Sequence, residues 1–180
     1  MPSQLFIFIK YIIQIINAIS EWTGRLIAWL ILLMALIIVY HASMAAILSI
    51  GSVALQELQW HLFALVFLLG AAYTLKHDDH VRVDIIYQGH WMNEQRRAWV
   101  NLLGGLFFLV PFCLLIISAS WQFVSDAYIH QEGSPDPGGL PYRFLLKAAI
   151  PTGFALLMLQ GIANSLNSLL YLLEYQEDKQ

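Results

Sequence analysis

The sequence predicts an all-α integral membrane protein. It has four transmembrane helices, an amphipathic interfacial helix before them and a short cytoplasmic interfacial helix between the second and third. Three observations carry this. Hydrophobic residues make up 59% of the 180 positions and charged residues only 12%, with a mean hydropathy of +0.64; a soluble domain carries about a quarter charged residues. Residues 26–56, 58–75, 98–125 and 148–173 contain no Asp, Glu, Lys or Arg. Lys and Arg gather on alternate links between those stretches.

The elements follow in chain order as one membrane domain spanning residues 1–180. Residues 3–21 form the interfacial helix. Lys10, Gln14, Asn17 and Glu21 recur at helical spacing and leave Leu5, Phe6, Ile9, Ile12, Ile13, Ile16 and Ile19 around the rest of the cylinder, the pattern of a helix lying in the membrane surface. A fifth span here would place Lys10 in mid-bilayer at a cost of about 3 kcal/mol. Transmembrane helices are expected at 25–48, 56–76, 98–121 and 145–173, since about 20 apolar residues cross the hydrocarbon core. Residues 77–96 form a polar link that holds Val81, Ile85 and Ile86 as the buried side of a short surface helix. Residues 125–142 form a second loop, stiffened by Pro135, Pro137 and Pro141. The first twenty residues lack a basic start and are broken by Lys10, so they are not expected to be a cleaved signal peptide.

Orientation follows from the cations. Lys10, Arg25, Lys76, Arg82, Arg96, Arg97 and Lys179 fall on one side, and Arg143 and Lys147 on the other. Positive charge is retained in the cytoplasm, which places both termini there. Trp22, Trp60, Trp91, Trp99 and Trp121 sit near helix ends, as interfacial anchors do.

Two helix faces suggest packing. Ala28, Ala35, Ala42 and Ser49 form a small-residue seam at a seven-residue interval on the first helix. On the fourth, Ala149, Gly153, Gln160, Asn164, Asn167 and Tyr171 fall within a sector of about 60° at 100° per residue. Amides facing lipid would lack partners, so this is read as a helix-packing or partner face. No charge lies on it, and ion-coupled carriers place charge near the midplane. The chain alone is a poor candidate for moving an ion or solute.

Other chemistry finds little support. A net charge of -3 and scattered cations leave no face for nucleic acid. The lone Cys113 cannot form an internal disulfide. His77, Asp78, Asp79, His80, Asp84 and His90 include metal-ligand types, but charges at a helix boundary are ordinarily solvated, and no metal is expected. His41 and His61 come to similar depth on neighbouring helices, a placement that can grip haem. Hydrogen bonding to neighbours, with Glu57 one turn before His61, is the expectation instead. No nucleotide, hydrolase or metalloprotease motif is present, and neither a catalytic site nor a cofactor is expected.

Three stretches resemble the small permease subunit of the tripartite ATP-independent periplasmic (TRAP) transporters. LQELQWHLFALVFLLGAAYTLKHDDHVRVDIIY resembles that family's second helix and the His-x-Arg-x-Asp signature after it, here His80, Arg82 and Asp84. EGSPDPGGLPYRFLLKAAIP resembles the loop and start of the fourth helix, and LLMLQGI, with Gln160, its body. The Gly-Gly-Leu-Pro-Tyr-Arg form is similar to the branch labelled for mannitol or chloroaromatic transport. The resemblance implies a non-enzymatic scaffold in the bacterial inner membrane, among membrane lipids. It would brace a large, sodium-driven elevator subunit and help dock a periplasmic binding protein that carries an organic acid or similar solute. Asp126, Glu132, Asp136 and Arg143 are the candidate docking residues. A haem- or quinone-linked redox anchor and a self-sufficient small carrier are the alternatives.

Overall fold

A computed structural model describes residues 4–78 and 92–177, leaving out the side chains of Leu5 and of residues 175–177. Among the described residues there is no strand, and four helices are long and apolar enough to cross a membrane. They are α1 (Gln4–Leu48), α2 (Val53–Lys76), α3 (Glu94–Ile129) and α4 (Phe144–Glu177).

The N-terminal residues depart from the expected arrangement. A separate helix over 3–21 was expected, yet α1 runs unbroken for 45 residues, about 67 Å at 1.5 Å per residue. Nothing at residues 21–25 stops a helix. The stretch lacks proline, Thr23 Oγ1 donates back to the Ile19 carbonyl at 2.9 Å, and Arg25 pairs with Glu21 one turn earlier at 3.5 Å. The polar stripe also has protein partners. Lys10 Nζ donates to Glu174 at 3.1 Å, Asn17 accepts from α4, and Glu21 accepts from Lys76 Nζ of α2 at 2.6 Å. A stripe read as facing headgroups thus faces α4 and α2. The short surface helix expected between α2 and α3 falls largely in residues 79–91, outside the described residues.

Local chemistry explains the other boundaries. Ser52 caps α2, its Oγ accepting from the Leu55 N–H at 3.4 Å. In α3 a π-helical turn, Gly105–Leu109, joins the α-helical Glu94–Gly104 and Val110–Ile129. Pro111 lies two residues beyond the end of that turn. Its missing N–H deprives the Phe107 carbonyl of an α-helical donor, so a widened turn costs little there.

α4 packs against each of the other three helices, α1 pairs with α2, and α3 lies along α4. The least accessible residues are small or polar, with Ala72, Cys113, Ala127, Ala163 and Gln160 all nearly inaccessible. Large apolar residues point outward, Trp29 at 71%, Phe67 at 71% and Phe108 at 76% exposure. Small residues bring helix backbones together, and lipid is an acceptable solvent for the exterior. The seam of Ala28, Ala35, Ala42 and Ser49 is exposed rather than spent on a neighbour within the chain.

Candidate functional site

The polar face of α4 divides in two. Gln160 is fully buried and ties α4 to α1. Its Oε1 accepts from Ser20 Oγ at 2.7 Å, and its Nε2 donates to Asn17 Oδ1 and Asn164 Oδ1, both at 3.0 Å. Asn164 Nδ2 then donates to the Leu75 carbonyl at 3.2 Å, a group at the end of α2 where helices leave acceptors unmatched. Higher on the same face Ala149 and Gly153 are buried. A Cβ on Gly153 would lie 2.6 Å from the Leu68 carbonyl oxygen, so α2 and α4 touch backbone to backbone. These four residues make their contacts within the chain's own bundle. Asn167 and Tyr171 are exposed. Asn167 borders a cavity of about 690 Å³ among α2, α3 and α4, whose walls include Lys76, Asn101 and Ser168.

At the opposite end a single buried carboxylate organises a loop. Glu57, 4% exposed, sits in the second turn of α2. One carboxylate oxygen accepts from Ser134 Oγ and the other from the Leu140 N–H at 2.6 Å. The two donors bracket a hairpin-like turn: Ser134 N–H donates to the Leu140 carbonyl at 3.0 Å, and Gly139 N–H to the Asp136 carbonyl at 3.0 Å. The Gly-Gly pair is explained by this geometry. Gly138 has φ +80°, and a Cβ on Gly139 would collide with Ser134 and lie 2.9 Å from Glu57 Oε2.

The docking candidates fall into two kinds. Glu132 pairs with Lys147, while the Glu132 carbonyl accepts from the Arg143 N–H at 2.9 Å. Arg143 also lies over the Trp60 ring, 5.7 Å from its centroid. Asp126 and Asp136 are exposed. Glu132 and Arg143 therefore build the loop, and Asp126 and Asp136 present charge.

The histidines are held by neighbours. His41 Nδ1 lies 3.0 Å from Gln59 Nε2, and His61 Nδ1 lies 2.6 Å from the Glu57 carbonyl oxygen. No group of three or more His, Cys, Asp or Glu among the described residues could hold a metal ion. His80, Arg82 and Asp84, with Asp79 and His90, lie outside the described residues. His77 and Asp78 are described, and His77 Nε2 is 3.3 Å from Glu21 Oε2. Glu57 was not singled out as a loop anchor from sequence, yet one signal was there: it is the single charged residue across positions 26–75.

An apolar exterior, close helix contacts at small residues and a polar network inside the bundle define a multi-pass helical membrane subunit. The model of the family "Tripartite ATP-independent periplasmic transporters, DctQ component" matches residues 34–170, most of the chain. This protein belongs to the DctQ family, the small membrane subunits of TRAP transporters, which are bacterial inner-membrane assemblies with a large membrane subunit and a periplasmic binding protein. No curated protein and no solved structure matches the chain. The first part of α1, with Asn17, Ser20 and Glu21, precedes the matched region.

Proposed function

We propose that this subunit is a scaffold for a sodium-driven, binding-protein-dependent importer of an organic acid or similar small solute. It braces a large elevator-type subunit and offers residues 130–143 to the periplasmic binding protein. Both termini lie in the cytoplasm, in keeping with Lys10, Arg25 and Lys76 at the end opposite that loop. The Gly138–Arg143 sequence favours the mannitol or chloroaromatic branch of the family. One observation carries the scaffold reading. Glu57, the buried carboxylate among the described residues, is spent on loop hydrogen bonds. Carriers keep such groups facing a pathway.

Reconstitution with the large subunit and binding protein tests this reading. Sodium-gradient uptake should require this chain, and the chain alone should move nothing. Asp126→Lys with Asp136→Lys should weaken uptake more at low salt than at high salt, since exposed charges act within a Debye length of about 10 Å. Uptake that is indifferent to the double reversal would remove the docking role. An altered sodium dependence in an intact complex would remove the scaffold role.

A further inference from the structure

We propose that Glu57 is a positioning residue for recognition of the binding protein, acting from inside the bundle on a loop it never leaves. The inference rests on the reading that residues 130–143 meet that protein, and adds what gives the loop its shape.

The prolines stiffen this loop locally, but they do not fix where it sits on the bundle. Gly133, Pro135, Asp136, Pro137 and Gly138 are all exposed, so no core of their own anchors them. Their shape comes from below. Glu57 reaches residues 77 and 83 positions away in the chain. It takes a side-chain donor on one limb of the turn and a backbone donor on the other. Charge-assisted bonds of this kind are about twice as strong as neutral ones, and here they close the turn where Ser134 N–H already donates to Leu140. Ser134 Oγ also accepts from the Asp136 N–H at 3.1 Å. One hydroxyl therefore links the buried carboxylate to the exposed acid at the tip. The lack of a Cβ on Gly139 lets the turn seat directly on Glu57.

The chain is thus arranged so that α2 sets the position of Asp136. A preorganised surface binds more tightly than one that must be ordered on contact. The partner surface this fits is a rigid one with a cation placed to meet Asp136, flanked by proline contacts.

The test uses the assembled transporter in nanodiscs, in a Cys113→Ser background, with a nitroxide on Pro137→Cys. Glu57→Ala should free the label and lower affinity for the substrate-loaded binding protein on the order of tenfold, with little dependence on salt. Glu57→Gln retains an oxygen for Leu140 N–H and an amide for the Ser134 hydroxyl, so it should stay within about threefold of wild type. Ser134→Ala, which cannot disturb the span, should give an intermediate loss. A label as immobile in Glu57→Ala as in wild type overturns the positioning role, whatever the docking result. A freed label with unchanged affinity overturns the docking reading instead, and with it the functional half of this proposal. Loss of affinity in Glu57→Gln equal to that in Glu57→Ala, with the label still held as in wild type, would show that the charge acts apart from positioning, and would also overturn it.

Discussion

Adding one methyl group to Gly153 tests where the polar face of α4 packs. The new Cβ would lie 2.6 Å from the Leu68 oxygen and 2.9 Å from its carbonyl carbon. Both are backbone atoms in mid-helix and cannot swing aside as a side-chain tip can. Restoring ordinary contact near 3.4 Å requires α2 and α4 to part by about 0.8 Å. Overpacking of this kind costs about 1–3 kcal/mol. Replacing glycine by alanine in a helix also gains up to about 1 kcal/mol of propensity, so a single substitution confuses two effects. Gly104→Ala removes the ambiguity, because a Cβ there meets nothing within 4 Å. The isolated subunit is unfolded by SDS titration in mixed micelles and followed by circular dichroism. Gly153→Ala should be about 1–3 kcal/mol less stable than Gly104→Ala. Gly153→Leu should lose the monodisperse folded peak in size-exclusion chromatography before any partner is added. Equal stability of the two alanine variants would refute the close approach. A Gly153→Leu subunit that folds alone but fails to join the large subunit would move this face to the partner interface.

Three further outcomes are expected. Gln160→Leu strands Ser20, Asn17 and Asn164, and interhelical hydrogen bonds in membranes average about 0.6 kcal/mol with a maximum near 1.7; the variant should lose about 1–2 kcal/mol in the same titration, and no loss would show the network to be idle. His41→Ala and His61→Ala should leave the visible absorbance of the purified protein unchanged; a Soret band that vanishes with either would restore the redox reading. In a Cys113→Ser background, cysteines at Gly51 and Asp136 should react with an impermeant maleimide in intact cells and one at Gln88 should not. Labelling at Gln88 would invert the proposed topology.

How much of the site was legible depended on the kind of signal each residue carried. Gln160 and Asn164 stood out because amides are conspicuous on an apolar helix. Their partners did not, since Ser20 and Asn17 lie 140 and 143 residues from Gln160 and sit in a stretch with its own plausible surface reading. The loop could be assigned as stiff from its prolines. That Glu132 and Arg143 are internal struts while Asp126 and Asp136 face outward could not be, because all four are charged and only contacts separate them.

Composition and charge spacing determined the solvent, the helical class and the four spans, because lipid leaves the backbone no other way to satisfy its own polar groups along charge-free stretches of this length. The resemblance of three motifs by itself pointed to the family. Tertiary structure alone decided that α1 is one helix rather than two. An amphipathic stripe reads the same whether its polar side meets headgroups or the side chains of Glu174, Gln160 and Lys76. It alone decided, too, that Gln160 closes on its own bundle, and that the isolated acid of α2 is the anchor of a loop about 80 residues downstream. Periodicity reports which residues share a face; which face another helix covers is a long-range fact, set by the packing of small residues such as Gly153 against a backbone elsewhere in the chain.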